Sequence, residues 1–243
     1  MIAVEGLCKR FGDIEAVRAV SFRAEDGMVT GLLGPNGAGK TTTLRMLAGL
    51  MRPDAGRIRV DDADVIADPV AAHRHMGVLP DSRGLYPRLT PREHVRYFGE
   101  LHGLDHVTLD RQSRALLQRL GLESLADRRV SGFSQGERTK VALARALVHE
   151  PRNVILDEPT NGLDVMSTRG MRDLIRGLRA QGQCVLFSSH IMQEVSALCD
   201  RILIIAQGTI VADGTPEELR RRTGQSDLED AFVALAGLDG ATS

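Results

Sequence analysis

Apolar positions follow two different rhythms along the chain. The segments "IAVEGLCKRF", "IEAVRAVSFRAE" and "MVTGLL" read as short β-strands, punctuated by the turn pairs Gly12-Asp13 and Asp26-Gly27. From Thr41 to Leu50 the spacing becomes helical, with Leu44, Leu47 and Ala48 on one face. "RPDAG" is a turn that leads into a strand from Arg57 to Val60. From about Thr90 to His149 the period is again helical. "TPRE" (Thr90 to Glu93) is a capping box with Pro91 at the first helical position, and "SQGE" (Ser134 to Glu137) opens a helix through Ala146. The runs "NVILDE", "CVLFSSH" and "RILIIAQ" are then apolar without alternation, and a helix over Val165 to Ala180 separates the first two. Such runs predict a parallel sheet covered on both faces. "AQGTIVADG" reads as a closing hairpin. Two capped helices follow, one opened by the cap Thr215 to Glu218 and one by the cap Ser226 to Glu229, the second with Leu228, Ala231, Phe232 and Leu235 on one stripe. The expected class is α/β, interrupted by a helical insert and ending in a short helical tail.

Candidate chemistry sits at the joints of this pattern. In "LLGPNGAGKTTTLRML" a strand gives way to Gly34, Pro35, Asn36, Gly37, Ala38 and Gly39, then Lys40, Thr41, Thr42 and a helix. This is the P-loop pattern in its proper strand–helix context. Glycines let backbone N–H groups face phosphate oxygens, and the helix N-terminus adds partial positive charge. Lys40 would reach the β- and γ-phosphates of ATP, and the Thr41 hydroxyl would hold Mg2+. Asp157 and Glu158 close the buried run "NVILDE", where strand C-termini line a ligand crevice. Asp157 is the second candidate for Mg2+, and Glu158 the candidate that polarises the attacking water. His190 follows another apolar run, at the place where it could touch the γ-phosphate; a helix cap is its ordinary alternative. "HRH" (His73 to His75) reads as surface. In "FSQGE" a second helix N-terminus, with Ser134 and Gly136, is a second anion site, for which one chain with one P-loop has no evident use.

Composition narrows the field. Of 243 residues 26% are charged and the formal net charge is -1, without the basic excess of a nucleic-acid binder. The run "RRR" (Arg220 to Arg222) reads as a solvated helix face. Cys8, Cys184 and Cys199 are far apart and odd in number, which argues against a disulfide framework or zinc site and fits a reducing compartment. Charges come too early in "MIAVEGLCKRFG" for a signal peptide, and no apolar run approaches the ~20 residues that span a bilayer. Any action on a membrane would therefore pass through a partner.

In this order, the P-loop, "FSQGE", "LDEPTNGLD" and a strand ending in histidine resemble the ATPase subunit of ABC transporters, over essentially the whole chain. The stretch from Phe133 to Arg169 is most similar to Nat-type sodium-extrusion ATPases. The resemblance implies a P-loop NTPase (RecA-like) core with an N-terminal antiparallel β subdomain and a helical insert. It implies one domain over residues 1–243: core and β subdomain at 1–82 and 150–215, insert at 83–149, and helical tail at 216–243. It further implies a head-to-tail homodimer, or a heterodimer with a second such ATPase, holding two ATP molecules between the P-loop of one copy and the Ser134–Gly136 turn of the other. Asp164 would lie at the dimer seam and Phe11 would stack on adenine, unless Phe11 is simply a packed hairpin residue. A separate multi-span permease would be the partner, docked near the insert and Leu85 to Leu89, with the chain on the cytoplasmic face of the membrane.

Two departures from the family pattern stand out. The signature is usually Leu-Ser-Gly-Gly-Gln, whereas Phe133, Gln135 and Glu137 stand here at the first, third and fifth places. The glutamine expected after "Leu-Pro" is replaced by Asp81, which could sense the metal through a water or merely cap a turn with Ser82 and Arg83. ABC-type ATPases of DNA maintenance or translation, and a non-catalytic regulatory cassette, are the rival classes. The short insert lacks the sustained heptads of the first, the chain has one cassette where the second carries two, and Lys40 and Glu158 are both present against the third.

Overall fold

The computed structural model describes residues 1–237; residues 238–243 of the predicted tail lie outside the described residues. Two sheets carry the fold. Strands β1 (Ile2–Phe11), β2 (Ile14–Ala24), β4 (Ala55–Val60) and β5 (Ala63–Asp64) form an antiparallel sheet in the order β2-β1-β4-β5. The second sheet contains β3 (Val29–Leu33), β6 (Met76–Leu79), β7 (Asn153–Asp157), β8 (Cys184–Ser189), β9 (Arg201–Ala206) and β10 (Thr209–Gly214), in the order β10-β9-β3-β8-β7-β6. All its pairings are parallel except the closing β9–β10 hairpin.

The unalternating apolar runs have a direct structural reason. Successive side chains on a strand point to opposite faces, so a strand buried on both sides feeds two cores. Leu33, Val154, Leu156, Val185, Phe187, Ile202 and Ile204 pack on one face with the helices. Leu32, Ile155, Leu186, Leu203 and Ile205 pack on the other, against the inner face of the antiparallel sheet and α1 (Lys40–Leu47).

Between β6 and β7 the chain leaves the sheet to form α3 (Pro91–Leu101), α4 (His106–Arg119) and α5 (Gln135–Leu147), preceded by the short α2 (Pro69–His73). Both predicted capping boxes of this region are present, at Thr90/Glu93 and Ser134/Glu137. Helix α6 (Val165–Ala180) has the predicted bounds, and α7 (Met192–Leu198), α8 (Pro216–Thr223) and α9 (Leu228–Ala236) complete the fold. Two expectations need correction, and one strand had no counterpart among them. The first helix stops at Leu47, capped by Ala48 and followed by Gly49 in the left-handed region, so Leu50 is exposed rather than helical. Helix α9 is capped by Asp227, which accepts from Glu229 N at 2.6 Å, and not by Ser226. Strand β6, too short to show a period, completes the edge of the sheet through β7 alone.

The end of α5 contains a titratable contact. His149 stacks on His102 with ring centroids 3.6 Å apart, and its Nε2 donates to Met76 O at 3.1 Å. Burial, with His102 alongside, pushes His149 down from 6.5 to about 4. The neutral ring is thus the folded form, and the stability it contributes is complete above 6.5 and lost as pH falls towards about 4. Urea unfolding across that window should show the loss, and a His149→Phe variant, which keeps the stack without titrating, should lose less on acidification than the parent.

Candidate nucleotide-binding and catalytic site

The C-terminal ends of three neighbouring strands, β3, β8 and β7, converge on one cleft. The loop after β3 turns into α1 through Gly39, whose φ of +103° is left-handed and whose Cβ would lie 2.5 Å from Ala16 O; only glycine fits there. The first N–H groups of α1, through Thr42, have no partner inside the helix and face the cleft mouth. Ala16, Asn36, Gly37, Gly39, Lys40, Thr41, Thr42, Asp81, Glu158, Asn161 and His190 line a cleft of about 450 Å3.

The charged groups form one connected set. Lys40, itself buried, donates from Nζ to Gly34 O at 2.8 Å and Pro35 O at 3.2 Å, and stands 3.5 Å from Glu158 Oε1. Thr41 Oγ1 donates to Asp157 Oδ1 at 3.4 Å, and Ser188 Oγ donates to the same oxygen at 2.6 Å. Burial, aided by the Asp81 and Glu158 carboxylates, pushes Asp157 above its ordinary value, against the hydrogen bonds from Ser188 and Thr41. Clustered acids held over a hydroxyl are hard oxygen donors suited to Mg2+. Among the described residues no three His, Cys, Asp or Glu side chains form a ready-made metal cage.

Glu158 is the most constrained member. Its φ of +47° lies in the left-handed region, which costs a residue with a Cβ on the order of 1 kcal/mol or more. Both ends of the residue are pinned: its N–H donates to Ser188 Oγ at 3.0 Å, and its carbonyl accepts from Arg83 at 3.3 Å and Asn161 N at 3.2 Å. The His190 ring meets Glu158 Oε2 through Nδ1 at 2.9 Å. An ionised carboxylate only accepts, so Nδ1 carries the proton in that contact.

The structure places Phe11, Ser134, Gly136 and Asp164 outside the lining of the cleft, and Asp81 within it. Phe11 ends β1 on the hairpin, 46% exposed, with Lys9 Nζ 5.7 Å from its ring centroid. Ser134 and Gly136 begin α5. Ser134 Oγ accepts from Glu137 N at 3.2 Å while Glu137 accepts from Ser134 N at 2.7 Å, so Glu137 serves the cap. A Cβ on Gly136 would lie 2.6 Å from Ser167 Oγ, so a larger residue would crowd the packing of α5 on α6 unless Ser167 turned aside. Asp164 caps α6, accepting from Ser167 N at 2.9 Å. Asp81 faces the cleft, but Arg83 bonds its backbone carbonyl, at 3.1 Å, and not its carboxylate. Sequence reasoning missed Ser188 and Asn161. The signal for Ser188 was a polar residue inside "CVLFSSH"; Asn161 lies in the quoted "LDEPTNGLD".

Comparison with known proteins adds an independent line. The profile of the ABC transporter family matches residues 17–161, from the hairpin through β7 and the acidic pair. The chain belongs to the ABC transporter family. The ABC transporter ATP-binding protein NatA of Bacillus subtilis (strain 168) is 43% identical over 239 residues, covering 96% of this chain and 97% of that one. The Nod factor export ATP-binding protein I of Burkholderia lata is 40% identical, covering 96% of this chain and 76% of its own. A solved ATP-binding subunit of an ABC transporter superposes with a TM-score of 0.90 at 30% identity, covering 97% of this chain and 99% of that one. A dimeric bacterial ABC transporter cassette gives 0.80 at 23% identity, covering 88% and 98%, a likeness of fold. This cassette is accordingly the ATP-binding, ATP-hydrolysing subunit of a transporter, with the mixed α/β fold of its family. None of its described helices is long and apolar enough to cross a membrane.

Proposed function

We propose that this cassette works as a head-to-tail dimer that closes on two ATP molecules and passes the motion to a separate multi-span permease at the cytoplasmic face of the membrane. The observation that carries this reading is the separation of the two anion sites. The α1 N-terminus opens into the acidic cleft, whereas the α5 N-terminus, with Ser134, Gln135 and Gly136, lies on another element and does not line it. A second copy brings the two together. A cassette of like fold, 23% identical, is dimeric in its solved structure.

Within each site, Lys40 and the loop amides hold the phosphates. Thr41 and Asp157 would hold Mg2+, which when bound neutralises charge on the transferring phosphoryl group. Glu158 accepts a hydrogen bond from the attacking water and polarises it, and His190 fixes the carboxylate and reaches towards the γ-phosphate. Asp81 senses the metal edge of the cleft. Phe11, at the exposed hairpin, supplies an adenine-stacking face.

For the permease, the candidate surface is an open apolar hollow of about 580 Å3 lined by Tyr86, Pro87, Arg88, Leu89 and Tyr97, a few residues along from Asp81. Tyr86 and Tyr97 expose 52% and 45% of their surface there. Export of sodium or another small substrate is the transport reading that the resemblance of Phe133 to Arg169 to Nat-type sodium-extrusion ATPases suggests; the cargo itself is chosen by the permease. Reconstitution with the membrane protein encoded beside its gene tests the assignment. Turnover should rise with the permease present. Stimulation by nucleic acid instead, with no response to the permease, would transfer the cassette to a non-transport role.

A further inference from the structure

Two buried arginines behind the cleft have only neutral partners. Arg83 donates from Nη1 to Pro80 O at 2.9 Å and Asp81 O at 3.1 Å, from Nη2 to Glu158 O at 3.3 Å, and from Nε to Thr139 Oγ1 at 3.2 Å. Arg145 in turn donates to Arg83 O at 2.8 Å and Gly84 O at 3.0 Å, and its guanidinium lies 4.7 Å from the Phe98 ring centroid. Both side chains are buried, with 9% and 8% exposure. Burial pushes both below the ordinary arginine value; for Arg83 the nearby Asp81 and Asp157 charges oppose the effect. A guanidinium buried against carbonyls and a hydroxyl is costly to desolvate and is held in one geometry by its planar fork.

Each Arg83 contact lies on a different part of the machinery. Glu158 O belongs to the strained residue beside the cleft. Asp81 and Pro80 form the loop that leads towards the Tyr86 hollow. Thr139 is on α5, and its hydroxyl also donates to Gln135 O at 3.0 Å, in the first turn of that helix. A continuous line therefore runs from the α5 N-terminus through Gln135 O, Thr139 Oγ1 and the Arg83 guanidinium to the Glu158 carbonyl of the same chain. In a dimer of the proposed kind, that α5 N-terminus meets the partner copy's ATP while Glu158 serves the chain's own.

We propose that Arg83 is a positioning residue that ties Glu158 to α5, so that engagement of α5 at one ATP site sets the placement of Glu158 at the other. The proposal rests on the assignment of Glu158 as the water-polarising group. A left-handed residue keeps its conformation only where its surroundings over-determine it. Loosening the carbonyl side shifts the carboxylate relative to the phosphate, and misplacement of about 1 Å can cost on the order of a hundredfold in rate.

The test compares ATP affinity, kcat and melting temperature in the full chain for Arg83→Met, Arg83→Lys, Thr139→Val and the Arg83→Met/Thr139→Val double variant, with Glu158→Gln as control. Arg83→Met should lower kcat at least about tenfold while leaving the dissociation constant for a fluorescent ATP analogue within about threefold. Thr139→Val should lower kcat less, and the double variant should be no slower than Arg83→Met, because both act through one link. Should Arg83→Met fail to fold, Arg83→Lys, which keeps the charge but cannot span the carbonyl and the hydroxyl together, should show the same split. Losses of affinity, rate and melting temperature in parallel, additive losses in the double variant, or an unchanged kcat would each overturn the proposal. Parental turnover in Glu158→Gln would instead remove the assignment on which it rests.

Discussion

Glu158→Gln is expected to bind ATP at least as tightly as the parent and to hydrolyse it on the order of a hundred to a thousand times more slowly. Glutamine preserves the shape of the side chain, and its amide can still contact His190, which now meets Oε2 at 2.9 Å. What disappears is the charge that polarises water. The same substitution removes the carboxylate standing 3.5 Å from Lys40 Nζ, so the lysine loses a competitor for its charge and phosphate gains it. Binding and turnover therefore move in opposite directions. Steady-state hydrolysis alongside titration with a fluorescent ATP analogue measures both, and turnover close to the parent's would remove Glu158 from the chemistry.

Lys40→Ala should show the complementary effect, a loss of binding itself. The ammonium is buried, donates to the carbonyls of Gly34 and Pro35, and is the only lysine lining the cleft among the described residues. A charge-assisted contact to phosphate contributes about 1.5–3 kcal/mol, so affinity for ATP should fall on the order of ten- to a hundredfold. The variant should also remain folded, because alanine at this helix start leaves Gly39 and the β3 core untouched. An unchanged dissociation constant would mean that the loop does not cradle phosphate.

The candidate site was legible in the sequence where its residues sit at strand ends and at the glycine loop. Asp157 ends β7, Glu158 and His190 directly follow β7 and β8, and Lys40 and Thr41 open α1 beyond the loop after β3; a parallel sheet carries such positions to one edge by topology alone. Ser188 and Arg83 were not legible, because their meaning depends on partners far away in sequence. Arg83 reaches Glu158 across 75 positions, and Ser188 reaches Asp157 across 31. The same limit applies to Gly136. Its spacing suggested an anion site, whereas its lack of a Cβ also relieves a close contact with Ser167 of α6. Apolar runs told the strands from the helices well, since burial on both faces suppresses alternation. The four-residue β6 lacked the length to show any pattern.

Glu137 shows how a departure from the family pattern can be absorbed. In sequence it looked like a negative charge placed against a nucleotide. In the fold it closes a capping box on Ser134 N at 2.7 Å, leaving the N–H groups of Gln135 and Gly136 as the orphan donors of that turn. The helix can thus still present positive potential to an anion.

The central claim is that each ATP site is completed by the α5 N-terminus of another copy. Sedimentation of the Glu158→Gln protein, with and without saturating ATP, tests it most directly when repeated with Ser134→Arg added. The account predicts an ATP-dependent dimer that is abolished by Ser134→Arg, while the fluorescent analogue still binds to the P-loop of the resulting monomer. A protein that stays monomeric at saturating ATP, or a dimer indifferent to Ser134→Arg, would contradict it.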